Sequence, residues 1–143
     1  MTGARATEWM LESAGRLRRT STLLPTPAPG EILVSTALGA ISPGTERALL
    51  HGTCPATPAT AYPCQPGYLN IVEIREAHDR TLVGERGVAT VGHRDHALIP
   101  YQKFIRIPPG VPAEVALLGV LAADARHGID VAAWRSRTSA RRR

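Results

Sequence analysis

The chain has 143 residues, of which 43% are hydrophobic, 20% charged and 4% aromatic, with a formal net charge of +5. Arg135, Arg137, Arg141, Arg142 and Arg143 carry that whole excess, so the body before them is electrically neutral. A basic face for nucleic acid and an aromatic stacking platform are both disfavoured for that body. Its core must be aliphatic, because Phe104 is the sole phenylalanine.

In chain order, Glu8–Leu11 and Gly15–Leu24 read as two strands around a glycine turn. Pro25, Pro27, Pro29 and Gly30 then break the chain. Glu31–Ile41 is rich in Ile, Leu and Val between turn residues and predicts a strand. A short helix over Glu46–Leu50 follows, capped by Ser42 or Thr45 and ended by Gly52. The proline-rich stretch 53–67 is a loop. Tyr68–Glu76 predicts a strand, and Thr81–Val83, Val88–Val91, His96–Ile99 and Phe104–Ile107 predict shorter ones between glycines. Pro112 opens a helix whose apolar positions Val115, Leu118, Val120, Leu121 and Ala125 make a stripe. Many short strands at this spacing predict a small β-barrel or sandwich with one C-terminal helix.

Three segments result: a flexible start over 1–7, one domain over 8–132, and a disordered arginine-rich tail over 133–143. No apolar run approaches the ~20 residues of a membrane span. Residues 1–11 lack the pattern of a signal peptide, so a cytoplasmic location is expected. Cys54 and Cys64 read as free thiols. Their chelation together with His51 is a weaker alternative. His93 and His96 invite a metal reading, but no third ligand has matching spacing, and residues three apart on a strand point to different faces.

The segments PGEILVSTALGAISPGTE, YPCQPGYLNIVEI, LVGERGVATVG and HALIPYQKFIRIPPGVPAEVALLGVLA, in that order, resemble the GroES-like domain of medium-chain dehydrogenases/reductases. The pairing of SPGTER with PGY resembles the bacteriochlorophyllide a dehydrogenase-like branch. The resemblance implies a mainly β fold, a twisted GroES-like barrel that positions a substrate. In the family, a Rossmann domain follows and binds NAD(P).

Two departures qualify this resemblance. Zinc members place Cys at the position of Ser42, His at that of Tyr68, and a third ligand near Val120. Ser, Tyr and Val do not make a catalytic zinc site, so no metal is expected. No G-x-G-x-x-G occurs either. No cofactor is therefore expected for this chain alone, and NAD(P) enters only if a Rossmann domain is supplied in trans by a partner chain. The change from a family-like helix to WRSRTSARRR reads as a frameshift or early stop, or as a tail that binds anionic partners.

By family analogy the substrate pocket involves Ser42, Thr45, Glu46 and Tyr68, with His127 nearby. Tyr68, Glu46 and His127 are then the acid–base candidates, and Ser42 and Thr45 contact substrate. Each has a plainer reading. Ser42 and Thr45 cap a helix, Glu46 binds turn amides or is solvated, Tyr68 is half-buried at a strand start, and His127 favours a helix dipole. The function expected is the substrate-positioning domain of a dehydrogenase/reductase, truncated and unable to transfer hydride alone. The alternatives are a stand-alone small-molecule binder or cofactor-free isomerase or cyclase, and a module with a basic tail for anionic partners.

Overall fold

A computed structural model describes residues 3–55, 57 and 61–140, with backbone only at 128 and 131–140. The Arg141–Arg143 end of the basic tail, and the side chains of Arg135 and Arg137, lie outside the described residues. Nine elements appear in the order β1 (Arg5–Ser13), β2 (Arg16–Leu23), β3 (Glu31–Ala40), α1 (Thr45–His51), β4 (Leu69–Ala77), β5 (Arg86–Ala89), β6 (His96–Pro100), β7 (Ile105–Arg106) and α2 (Ala113–Ala140), with two 3-10 turns besides. The hairpin β1–β2 is one sheet, and the other is antiparallel in the order β6-β3-β4-β5-β7. The fold is mainly β, as expected, although the two sheets do not close into one hydrogen-bonded barrel.

β4 is the centre of the larger sheet, and its sequence shows why. Leu69 and Ile71 point to one face, while Val72 and Ile74 point to the other. The second pair joins Ile32, Val34, Val91, Ile99 and Phe104 in the main core. The first pair meets Leu117 of α2, with Ala113, Ala116 and Val120 packed alongside. A strand covered on both faces reads as a nearly unbroken apolar run, which is how LNIVEI reads. Asn70 is the polar exception. It is 1% exposed, donates from Nδ2 to the Gly92 carbonyl (3.0 Å) and accepts from the Val91 amide (3.3 Å). Both ends of its amide are thus satisfied, as burial requires.

Three expectations are corrected. Thr81–Val83 is not a strand: the Asp79 carboxylate accepts from the Thr81 amide and draws Arg80–Leu82 into a 3-10 turn. Neither Ser42 nor Thr45 caps α1 through its side chain, because Gly44 holds the N-cap position and Thr45 is already helical. The helix also does not fade at residue 132. Its backbone continues through Ala140. Among the described side chains of α2, those of its first turns pack on the sheet, and Val115, Leu118, Leu121 and Ile129 are exposed. No helix among the described residues is long and apolar enough to cross a membrane.

Two glycines should respond oppositely to alanine. A Cβ on Gly87 would lie 2.5 Å from the Phe104 ring, whereas one on Gly119 within α2 meets nothing within 4 Å. Gly87→Ala should cost about 1–3 kcal/mol by overpacking, and Gly119→Ala should add roughly 0.5–1 kcal/mol. Urea unfolding of the two variants against the parent measures both signs.

Candidate functional site

The site forms where the β1–β2 hairpin is bolted onto the larger sheet. The Trp9 amide donates to the His93 carbonyl (2.9 Å), and Leu11 exchanges backbone bonds with Cys64 (2.8 and 3.0 Å). Thr7 and Asp95 bond twice: the Thr7 amide donates to Asp95 Oδ1 (2.7 Å), and the Asp95 amide donates to the Thr7 carbonyl (3.1 Å). Glu8 adds an ion pair to Arg94 (2.7 Å) and accepts from Gln65 (2.7 Å).

Beneath this seam lies a cavity of about 590 Å³ lined by Trp9, Leu11, Leu17, Gly39, Ile41, Pro43, Glu46, Arg47, Leu50, Pro66 and His93. Most of its wall is apolar. Its polar feature is the pair Glu46–His93, with Nε2 of the ring 2.7 Å from the carboxylate and the side chains 9% and 22% exposed, respectively. The other carboxylate oxygen of Glu46 accepts from the Ser42 amide (3.1 Å), which closes the turn ahead of α1. The far end of α1 is fixed by Gly52 in the left-handed region, which donates to the Leu49 carbonyl. His93 is held equally firmly. Its amide donates to the Pro66 carbonyl (2.9 Å), and its ring backs onto Gly67, where a Cβ would sit 2.9 Å from ring atoms. With φ at +95°, that glycine is required on both counts.

Of the residues singled out in the sequence, Glu46 lines the cavity, and Ser42 outside its wall donates its amide to the Glu46 carboxylate. Thr45 begins α1 and is exposed. Tyr68 packs instead with the Leu69–Ile71–Leu117 cluster beneath α2. His127 is on an exposed part of α2. Neither Tyr68 nor His127 is in the cavity wall. His93 and His96 diverge: His93 meets Glu46, and His96 Nδ1 lies 3.2 Å from Asp95. The sequence reading paired His93 with His96 and missed its pairing with Glu46, which is 47 residues away. Cys54 and Cys64 are free thiols in a small apolar cluster with Leu11 and Leu49, and burial, then the neighbouring Cys54, pushes the Cys64 thiol up.

Among the described residues, no three His, Cys, Asp or Glu side chains gather as a metal would need, and Glu46 with His93 supplies two. Among the described residues the paired strands are all antiparallel, and no βαβ unit offers a glycine-rich turn into a helix.

Asp95 gives the seam a pH dependence. Desolvation by burial pushes its carboxyl up, but the Thr7 amide and His96 outweigh this and hold it below its ordinary 3.8. A lowered carboxyl stabilises the folded state above 3.8 and loses that contribution as the pH falls through its folded value. Asp95→Asn should therefore be less stable than the parent at pH 7, and the difference should shrink below pH 3.8. Thermal unfolding across pH 2–7 checks this, and a gap that is constant with pH would contradict it.

No protein-family model matches the chain. It is 35% identical over 126 residues to the 2-desacetyl-2-hydroxyethyl bacteriochlorophyllide A dehydrogenase of Cereibacter sphaeroides, a match covering 72% of this chain and 38% of that protein. The enzyme of the same name from Rhodobacter capsulatus is 31% identical over 121 residues, covering 74% and 38%. The chain thus spans well under half the length of these curated relatives. Among solved structures, an alcohol dehydrogenase from E. coli complexed with NADH shares the fold at a TM-score of 0.65 and 19% identity, covering 81% of this chain and 42% of that one. Sequence and fold agree: the chain is similar to part of these dehydrogenases and has the fold of the GroES-like domain of medium-chain dehydrogenases/reductases.

Proposed function

We propose that this chain is the substrate-holding domain of a medium-chain dehydrogenase/reductase-type oxidoreductase acting on an apolar alcohol or ketone. One observation carries the reading: a Glu46–His93 pair at 2.7 Å set into an otherwise apolar cavity of about 590 Å³. Apolar walls at Leu11, Leu17, Ile41 and Leu50 bind the body of a substrate by removing it from water. The pair then holds a proton at the substrate's oxygen, with Glu46 orienting the ring and the Ser42 amide orienting Glu46.

In this reading the site works without zinc, since Ser42 and Tyr68 stand where zinc members carry ligands. Its hydride carrier is held by a domain outside these 143 residues. NADH in the E. coli alcohol dehydrogenase and the hydroxyethyl group in the relatives' names are in keeping with this chemistry. Tyr68 and His127 have no part in it, because neither lines the cavity.

Calorimetry of the chain with octanol and, separately, with NADH tests the reading. Octanol should bind, NADH should not, and Leu17→Trp should abolish octanol binding by filling the cavity from the exposed hairpin. Octanol binding that survives Leu17→Trp, or that is absent from the parent, would overturn it.

A further inference from the structure

The apolar cavity does not end at Trp9. A second, polar groove of about 390 Å³ adjoins it, lined by Thr7, Trp9, Arg19, Thr36, Gly39, Asn70, His93, Arg94 and Asp95. Trp9, Gly39 and His93 belong to both walls. A single molecule can therefore pass along the indole from one space to the other.

The charges in the groove are unevenly engaged. Glu8, beneath it, is taken by Arg94 and Gln65. The Asp95 carboxylate is taken by the Thr7 amide, with His96 beside it. Arg19 stands directly across the hairpin from Trp9 and makes no ion pair among the described residues. Two further donors in the same wall also lack partners. Thr36 Oγ1 and Arg94 Nε are both shielded from solvent and make no hydrogen bond. Such atoms cost free energy unless something occupies them. Each carboxylate already accepts through one oxygen, whereas Arg19 and Arg94 Nε can only donate and Thr36 Oγ1 can donate or accept. That balance favours an anion.

We propose that this groove is an anion subsite, and that the ligand is an apolar molecule ending in an anionic oxygen group, a carboxylate or a phosphate ester. Its apolar body lies in the Leu11–Leu50 cavity, and its charged end lies between Arg19, Thr36 and Arg94. This rests on the cavity reading above and adds the ligand's second end. Arg47, at the other cation-bearing edge of the cavity on α1, is the rival anchor.

Octanol, octanoate and octyl phosphate, titrated calorimetrically into the chain at pH 7, provide the test. One of the two anions should bind about tenfold more tightly than octanol, as a charge-assisted contact in a half-open groove gives. The tighter of the two names the head group. Arg19→Gln should remove the anion's advantage and leave octanol unchanged, and Thr36→Val should remove part of it. Arg47→Gln should leave it intact. Equal binding of all three molecules, an advantage that survives Arg19→Gln, or one lost in Arg47→Gln would overturn the subsite while leaving the cavity standing. Failure of octanol itself to bind would overturn the cavity, and the subsite with it.

Discussion

The site depends on how a two-stranded hairpin is attached to a sheet it does not join. β1 and β2 pair with each other, and their attachment to the larger sheet runs through the turn at 92–95 and the loop at 64–66. The bonds involved are backbone to backbone at Trp9–His93 and Leu11–Cys64, reinforced by the side chains of Asp95 and Glu8. An isolated hairpin is marginal in water. Held this way, it becomes a wall with the apolar cavity on one side of Trp9 and the polar groove on the other. The same carbonyl that receives Trp9 belongs to His93, so the bond that fixes the wall also fixes the histidine facing Glu46.

The glycines around the site are consequences of that constraint. Gly67 leaves room for the His93 ring to back against the chain, and Gly92 lies against the Gln65 side chain. The PGY segment is thus a backbone requirement as much as a source of functional groups. It places its tyrosine on the α2 side and its glycine on the cavity side.

Much of the fold was legible in the sequence because its strands are aliphatic runs between glycines and prolines. EILVSTALGA and LNIVEIREA are both central strands, and Gly52 ends α1 as read. Glu46 came into view with the SPGTE turn through the family resemblance, and it lines the cavity. His93 was read only as a metal candidate with His96, because its partner Glu46 is 47 positions away and Gly67 comes beside it only in the fold. Tyr68 is half-buried just ahead of β4, which is its plainer reading, and it packs with the Leu69–Ile71–Leu117 cluster. The apolar stripe of α2 stops before the helix does, so the stripe did not mark its extent.

On the proposed reading, one domain contributes both the Glu46–His93 pair and the apolar walls that hold a substrate. The measurement that bears most directly on this is the map of backbone amide shifts in isotopically labelled protein as octanol is added. The account predicts changes concentrated at Trp9, Gly39, Ile41, Glu46, Leu50 and His93, with the Glu46 and His93 amides among the largest. Changes centred instead on Tyr68 and the first turns of α2, with the hairpin silent, would contradict it.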